Sequence, residues 1–108
     1  MNSNTIMKKF TLYLGLNDKD SKQQQISTLE AYKVVSNILA NDFGGGTIFE
    51  AQGIYKHEDG TVVVETTLRI EILFAELPAI KNHVATLKKV FNQESIAVQE
   101  EVINSSLM

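Results

Sequence analysis

Three consecutive glycines, Gly44 to Gly46, are the first residues here whose type and spacing suggest chemistry. Glycine runs cradle phosphate when they lead from a strand into a helix, because the helix N-terminus then meets the anion. This run goes the other way. It follows STLEAYKVVSNILANDF (27–43), which has helical spacing, and precedes TIFEAQGIYKH (47–57), which is β-rich. The pattern is neither G-x-G-x-x-G nor G-x-x-x-x-G-K-[ST]. The expectation is a helix stop, with a glycine in the left-handed region.

His57 stands beside Glu58 and Asp59, a set that suits a hard metal or a proton relay. No second cluster supplies the remaining ligands, so an exposed polar turn is expected. His83 lies three residues from Ile80, at the edge of an apolar stripe, and is expected on its flank. Neither histidine has a sequence-level partner for a serine or threonine nucleophile. Glu100 and Glu101 are adjacent on a strand and point to opposite faces. There are no cysteines, which removes disulfides, thiolate metal sites, ferredoxin-type clusters and cysteine nucleophiles. No catalytic residue, metal site or cofactor is assigned.

The elements that must position any site follow from periodicity. FTLYLGL (10–16) alternates, with Phe10, Leu12, Leu14 and Leu16 on one side and Thr11, Tyr13 and Gly15 on the other. NDKDSKQQQ is a polar loop. In the 27–43 helix, Leu29, Tyr32, Val35, Ile38 and Leu39 share a face, and Ser27 with Glu30 fits a capping box. LPAIKNHVATLKKVF (77–91) is a second helix with Pro78 in its first turn and a stripe of Ile80, Val84, Leu87 and Phe91. SIAVQEEVI (95–103) is a last strand with Ile96 and Val98 inward, followed by a frayed NSSLM.

Between them, TIFEAQGIYKH and TVVVETTLRIEILF (61–74) are two strands joined at Glu58-Asp59-Gly60. Asp-Gly is the dipeptide preferred by a two-residue type I′ turn. With Asp59 and Gly60 as that turn, Glu58 faces Thr61 and partner numbers sum to 119. Phe49, Ala51 and Tyr55 then face the core with Ile70, Leu68 and Val64, and Glu50 meets Arg69 on the other face. The long third strand suggests a hairpin that projects beyond the domain.

The order β-α-β-β-α-β is that of the ferredoxin-like α+β sandwich: a four-stranded antiparallel sheet with two helices on one face. One domain is expected over 1–108, with an ordered core of about 8–103. The helix-free face is expected to carry Thr11, Tyr13, Glu50, Gln52, Glu65, Thr67, Arg69, Glu71, Gln99 and Glu101. RNA-recognition modules of this topology stack bases on aromatics of strands one and three. Strand three has none on this face and is net acidic, and the chain's net charge is −3, so nucleic acid is not an expected partner. No arginine-bearing glycine loop follows strand one, which argues against an acylphosphatase.

Nothing in the first ten residues, MNSNTIMKKF, has the form of a signal peptide, and no run approaches the roughly 20 apolar residues that span a bilayer. With no cysteine, this favours a cytoplasmic protein without a membrane partner.

LYLGL, EAQGIYKHEDGTVVVET and FNQESI resemble a family of small bacterial proteins of unknown function, over about residues 10 to 99. Its members share a Leu/Tyr-x-Gly-Leu first strand, an Ala-x-Gly hairpin strand followed by Asp-Gly-Thr, and a Phe-x-Gln-Glu-Ser-Val/Ile lead into the last strand. Many carry an export or lipoprotein signal and a Phe-Pro where this chain has Phe43-Gly44. The resemblance implies the fold and carries over no catalytic residue. The architecture is also similar to that of the nitrogen-regulatory PII and copper-tolerance trimers. The function expected is a non-enzymatic interaction module, self-associating or binding another protein through the open face or the hairpin. Its candidate interface residues are Tyr13, Glu50, Gln52, Glu65, Thr67, Arg69, Glu71 and Gln99. A small acidic inhibitor of the phage or mobile-element type is one form of this. The alternative is a small-molecule enzyme of the dimeric ferredoxin-like class, with Tyr13, Glu50, Arg69 and Glu71 around a cleft.

Overall fold

The computed structural model describes residues 5–108. The elements are β1 (Thr5–Gly15), α1 (Thr28–Phe43), β2 (Thr47–Lys56), β3 (Val62–Leu73), α2 (Leu77–Val90) and β4 (Ala97–Ser105). The strands form one antiparallel sheet in the order β2-β3-β1-β4. This is the ferredoxin-like sandwich that the sequence predicts, with β1 and β3 central. Two boundaries differ from expectation. β1 begins five residues earlier than Phe10, and β4 runs on through Asn104 and Ser105, because their backbones pair with each other across Thr5↔Ser105 to Lys8↔Val102.

The core lies between the sheet and the helices. Phe10, Leu12 and Leu14 of β1 and Ile70 and Ile72 of β3 are fully buried, beside Val35 of α1 and Leu87 of α2. Each such side chain contributes about 1.5–3 kcal/mol of transfer free energy. Ser27 caps α1 by accepting the Glu30 N–H at 3.1 Å, worth about 1 kcal/mol. Gly44 ends the helix at φ 77°, donating its N–H to the Ala40 carbonyl at 2.8 Å. The glycine run is therefore the helix stop that its direction implies.

The α1 stripe is only partly covered. Ala31, Val35 and Leu39 are buried, but Leu29 and Tyr32 are 63% and 47% exposed. His83 is a second departure. It is not a flank residue but lies fully buried between the helices.

The hairpin register corrects the expectation. Partners sum to 118: Phe49 faces Arg69, Ala51 faces Thr67 and Ile54 faces Val64. His57 donates its N–H to the Thr61 carbonyl at 2.8 Å, and Gly60 donates to the His57 carbonyl at 2.9 Å. The loop is thus three residues, Glu58 to Gly60, with Gly60 at φ 92°. Asp-Gly suits this loop as well as the two-residue one, since glycine takes the left-handed position that ends its type I turn. One extra loop residue moves every β2 side chain to the other face.

The same pairing leaves the hairpin projecting. β1 reaches β3 only as far as Gly15↔Thr67, while β2 and β3 pair on to Lys56↔Val62. Residues 53–56 and 62–65 therefore form a two-stranded ribbon. The Cα extents are 55 × 27 × 23 Å and the radius of gyration is 15.2 Å, against about 13 Å for a compact chain of this length. No helix among the described residues is long and apolar enough to cross a membrane.

Candidate functional site

The open face of the sheet is organised in transverse rows. One row runs Ala97, Tyr13, Arg69, Phe49 across all four strands. The Arg69 guanidinium lies over the Phe49 ring, 4.5 Å from its centroid. Such a contact contributes about 0.5–1 kcal/mol at an exposed site. Arg69 Nη2 also donates to Glu71 Oε2 at 2.7 Å, and Lys9 Nζ lies 3.5 Å from the same oxygen. Arg69 Nε is buried without an acceptor among the described residues. Tyr13 donates its hydroxyl to Gln99 Oε1 at 3.4 Å.

The neighbouring row, Gly15, Thr67 and Ala51, is made of small residues, and Glu65 pairs with Gly53 beyond it. A Cβ at Gly15 would lie 2.4 Å from Glu65 Oε1, and one at Gly53 would lie 2.7 Å from Thr67 Oγ1. The two glycines let these side chains lie flat on the sheet. Glu65 Oε2 accepts the Asn17 N–H at 2.9 Å, satisfying a donor just past the end of β1.

Of the residues expected on this face, Thr11, Tyr13, Glu65, Thr67, Arg69, Glu71, Gln99 and Glu101 are on it. Glu50 and Gln52 are not. Glu50 pairs with Leu68 and Gln52 with Thr66, on the helix side of the sheet, so the expected Glu50–Arg69 ion pair does not form. Phe49, Gly53 and Tyr55 take their places. The shifted register is the physical reason, and it also separates Glu50 from the expected enzyme set of Tyr13, Arg69 and Glu71.

A cleft of about 980 Å³ opens at the other end of the sheet. Lys9, Glu71 and Glu101 line it from the strands, with the glycine run, Phe74 and Glu76 opposite. Its carboxylates, and the carbonyl end of α1, disfavour an anionic ligand there. The carboxylates held clearly below their ordinary value lie elsewhere. Asp18 is lowered first by the Ser21 N–H, then by Asn92 and the Asp20 N–H, and Asp59 is lowered first by the Thr61 N–H. Both shifts come from loop hydrogen bonds.

Asn92 takes the left-handed conformation at φ 49°, and its side-chain amide donates to Asp18 and Asp20, each at 2.8 Å. Gln93 donates to the Asn17 carbonyl at 2.7 Å. The stretch after α2 thus holds the loop after β1 in place. Buried His83 meets Asp42 through Nδ1 at 2.7 Å and stacks edge-on with Phe43, while its Nε2 has no partner among the described residues. His57 stacks edge-on with Tyr55 at the hairpin tip.

A family model covers residues 9–106. The chain belongs to DUF3574, a family described as proteins of unknown function. No curated protein matches it. Among solved structures it is similar to a phage SAM lyase in complex with S-methyl-5′-thioadenosine, with a TM-score of 0.62 and 18% identity over 94% of this chain and 90% of that one. It is similar to CutA from Synechococcus elongatus PCC7942, with a TM-score of 0.62 and 13% identity over 97% of this chain and 87% of that one. At these identities the likeness establishes the fold.

Proposed function

We propose that this DUF3574 chain is an interaction module that self-associates through its open sheet face. The observation that carries this is the row of Tyr13, Arg69 and Phe49. Tyrosine, phenylalanine and arginine are the types that anchor protein interfaces, and lysine and acidic residues are depleted at interface centres. Tyr13 and Phe49 are 38% and 43% exposed, and Tyr55 adds a third ring at 41%. The charges around them, Lys9, Arg69, Glu65 and Glu71, are of both signs, which suits a copy of the same surface better than a polyanion. Arg69→Ala removes the guanidinium that braces Phe49. In light scattering coupled to size exclusion, it is expected to weaken the oligomer roughly tenfold or more. An unchanged oligomer would place the interface elsewhere.

A second reading is a small-molecule enzyme, favoured by the cleft, whose volume of about 980 Å³ falls at the upper end for ligand sites. The phage SAM lyase of the same fold, solved with S-methyl-5′-thioadenosine, supplies a first probe. Saturable binding of that nucleoside, lost in Glu71→Gln, would favour it. A phage-type inhibitor remains a particular form of the interaction module.

A further inference from the structure

We propose that the helix side of the projecting hairpin, together with the uncovered flank of α1, is a second contact surface, and that it is filled by another copy of this chain. This rests on the self-association proposed above and adds a surface that the open face does not include.

Ile54, Val62 and Val64 lie on the side of the ribbon that continues the core face, because Ile54 pairs with Val64 and both alternate in step with Leu68. They are 70%, 61% and 56% exposed. Past Gly15 the ribbon has only two strands, and an isolated two-stranded hairpin is at best marginally stable in water. Three β-branched apolar side chains on its inner side are therefore uncovered where support is most needed.

Along the strand direction, the N-terminal turns of α1 come level with the root of this ribbon. Leu39 near the end of α1 packs where a Gly46 Cβ would point, beside the Glu71 carbonyl. Leu29 is ten residues back along the helix, about 15 Å. The same distance back along β3 from Glu71 reaches roughly Thr67 or Thr66, about two or three residues from Val64. Leu29 and Tyr32 thus stand level with the root of the ribbon, and they are 63% and 47% exposed. The stripe is continuous in sequence but only half covered in this chain.

The occupant follows from size and charge. Leu29, Tyr32, Ile54, Val62 and Val64 together expose an area on the order of 600 Å², at the top of the range for a monomer's largest apolar patch. It is most of the roughly 800 Å² that each partner contributes to a standard interface. Lys56, opposite Val62, is the single charge on this side of the ribbon, too little to hold a nucleic acid or a strongly charged peptide. A second copy brings an apolar surface of the same size and kind.

The test uses the full chain with Val64→Glu and, separately, Leu29→Glu. Both positions are exposed and lie on different elements, so neither change removes core packing, and far-UV circular dichroism checks the fold. Lys81→Glu, on exposed α2, is the control. Each apolar-to-charge variant is expected to raise the dissociation constant roughly tenfold or more, and the control to leave it unchanged. A cysteine-free chain allows a direct second measurement. In Val64→Cys the only thiol should react with a thiol reagent slowly at high protein concentration and quickly on dilution. An oligomer untouched by both glutamates, with a thiol equally reactive at all concentrations, overturns this proposal. If Arg69→Ala still dissociates that oligomer, the open-face proposal survives alone. If the glutamates dissociate it and Arg69→Ala does not, the reverse holds.

Discussion

Replacing Gly15 with alanine should destabilise the chain through one side chain, Glu65. The new Cβ would sit 2.4 Å from Glu65 Oε1 and 2.6 Å from its Cδ, so the carboxylate must swing away. It then loses the Asn17 N–H, now held at 2.9 Å. A hydrogen bond to a charged group contributes about 1.5–3 kcal/mol, and the low end applies here because water can replace part of it. Alanine itself is better than glycine inside a strand by about 0.5–1 kcal/mol. The net cost expected is about 1 kcal/mol. In a Glu65→Ala background the obstruction is gone, and Gly15→Ala should stabilise by about 0.5–1 kcal/mol. The change of sign amounts to a coupling of about 2 kcal/mol, within the range for residues in contact. Urea denaturation of the four chains at one protein concentration, with unchanged m values, measures it. The same cost in both backgrounds would show that Glu65 does not lie over Gly15.

Two further outcomes follow from the loops. Gly44→Ala meets nothing within 4 Å among the described residues, so it should cost only the left-handed backbone strain, about 1–2 kcal/mol in the same urea assay. Asp18 is held below its ordinary value by the Ser21 N–H first, then Asn92 and the Asp20 N–H. A lowered folded-state value means that its stabilisation is present above the unfolded carboxylate value and is lost as pH falls through the folded one. Asp18→Asn should therefore flatten the fall in thermal stability below about pH 4, with little change in slope near neutrality, as read by melting curves across pH.

Element order was legible because α1 and α2 carry a helical apolar period and the strands alternate. The direction of the glycine run was legible for the same reason. The β2 register was not, because Asp59-Gly60 satisfies both a two-residue and a three-residue loop, and the choice flips every β2 side chain. Phe49 and Tyr55 consequently reach the open face, while Glu50 and Gln52 leave it. Gly15, the last residue of β1, and Gly53, inside β2, held a usable hint: strand glycines often mark close approach, here of Glu65 and Thr67. The burial of His83 depends on Asp42 and Phe43, 41 and 40 residues away in sequence, beyond the reach of local pattern. The exposure of Leu29 and Tyr32 was equally hidden, since an apolar period states which side chains want cover but not what covers them.

Sedimentation equilibrium of the unmodified chain over a wide concentration range tests self-association most directly. The protomer mass is 12.0 kDa. Self-association through the open face and the hairpin predicts a whole multiple of that mass, falling towards one protomer on dilution. A mass of 12.0 kDa at every concentration, up to the highest that stays in solution, would contradict it.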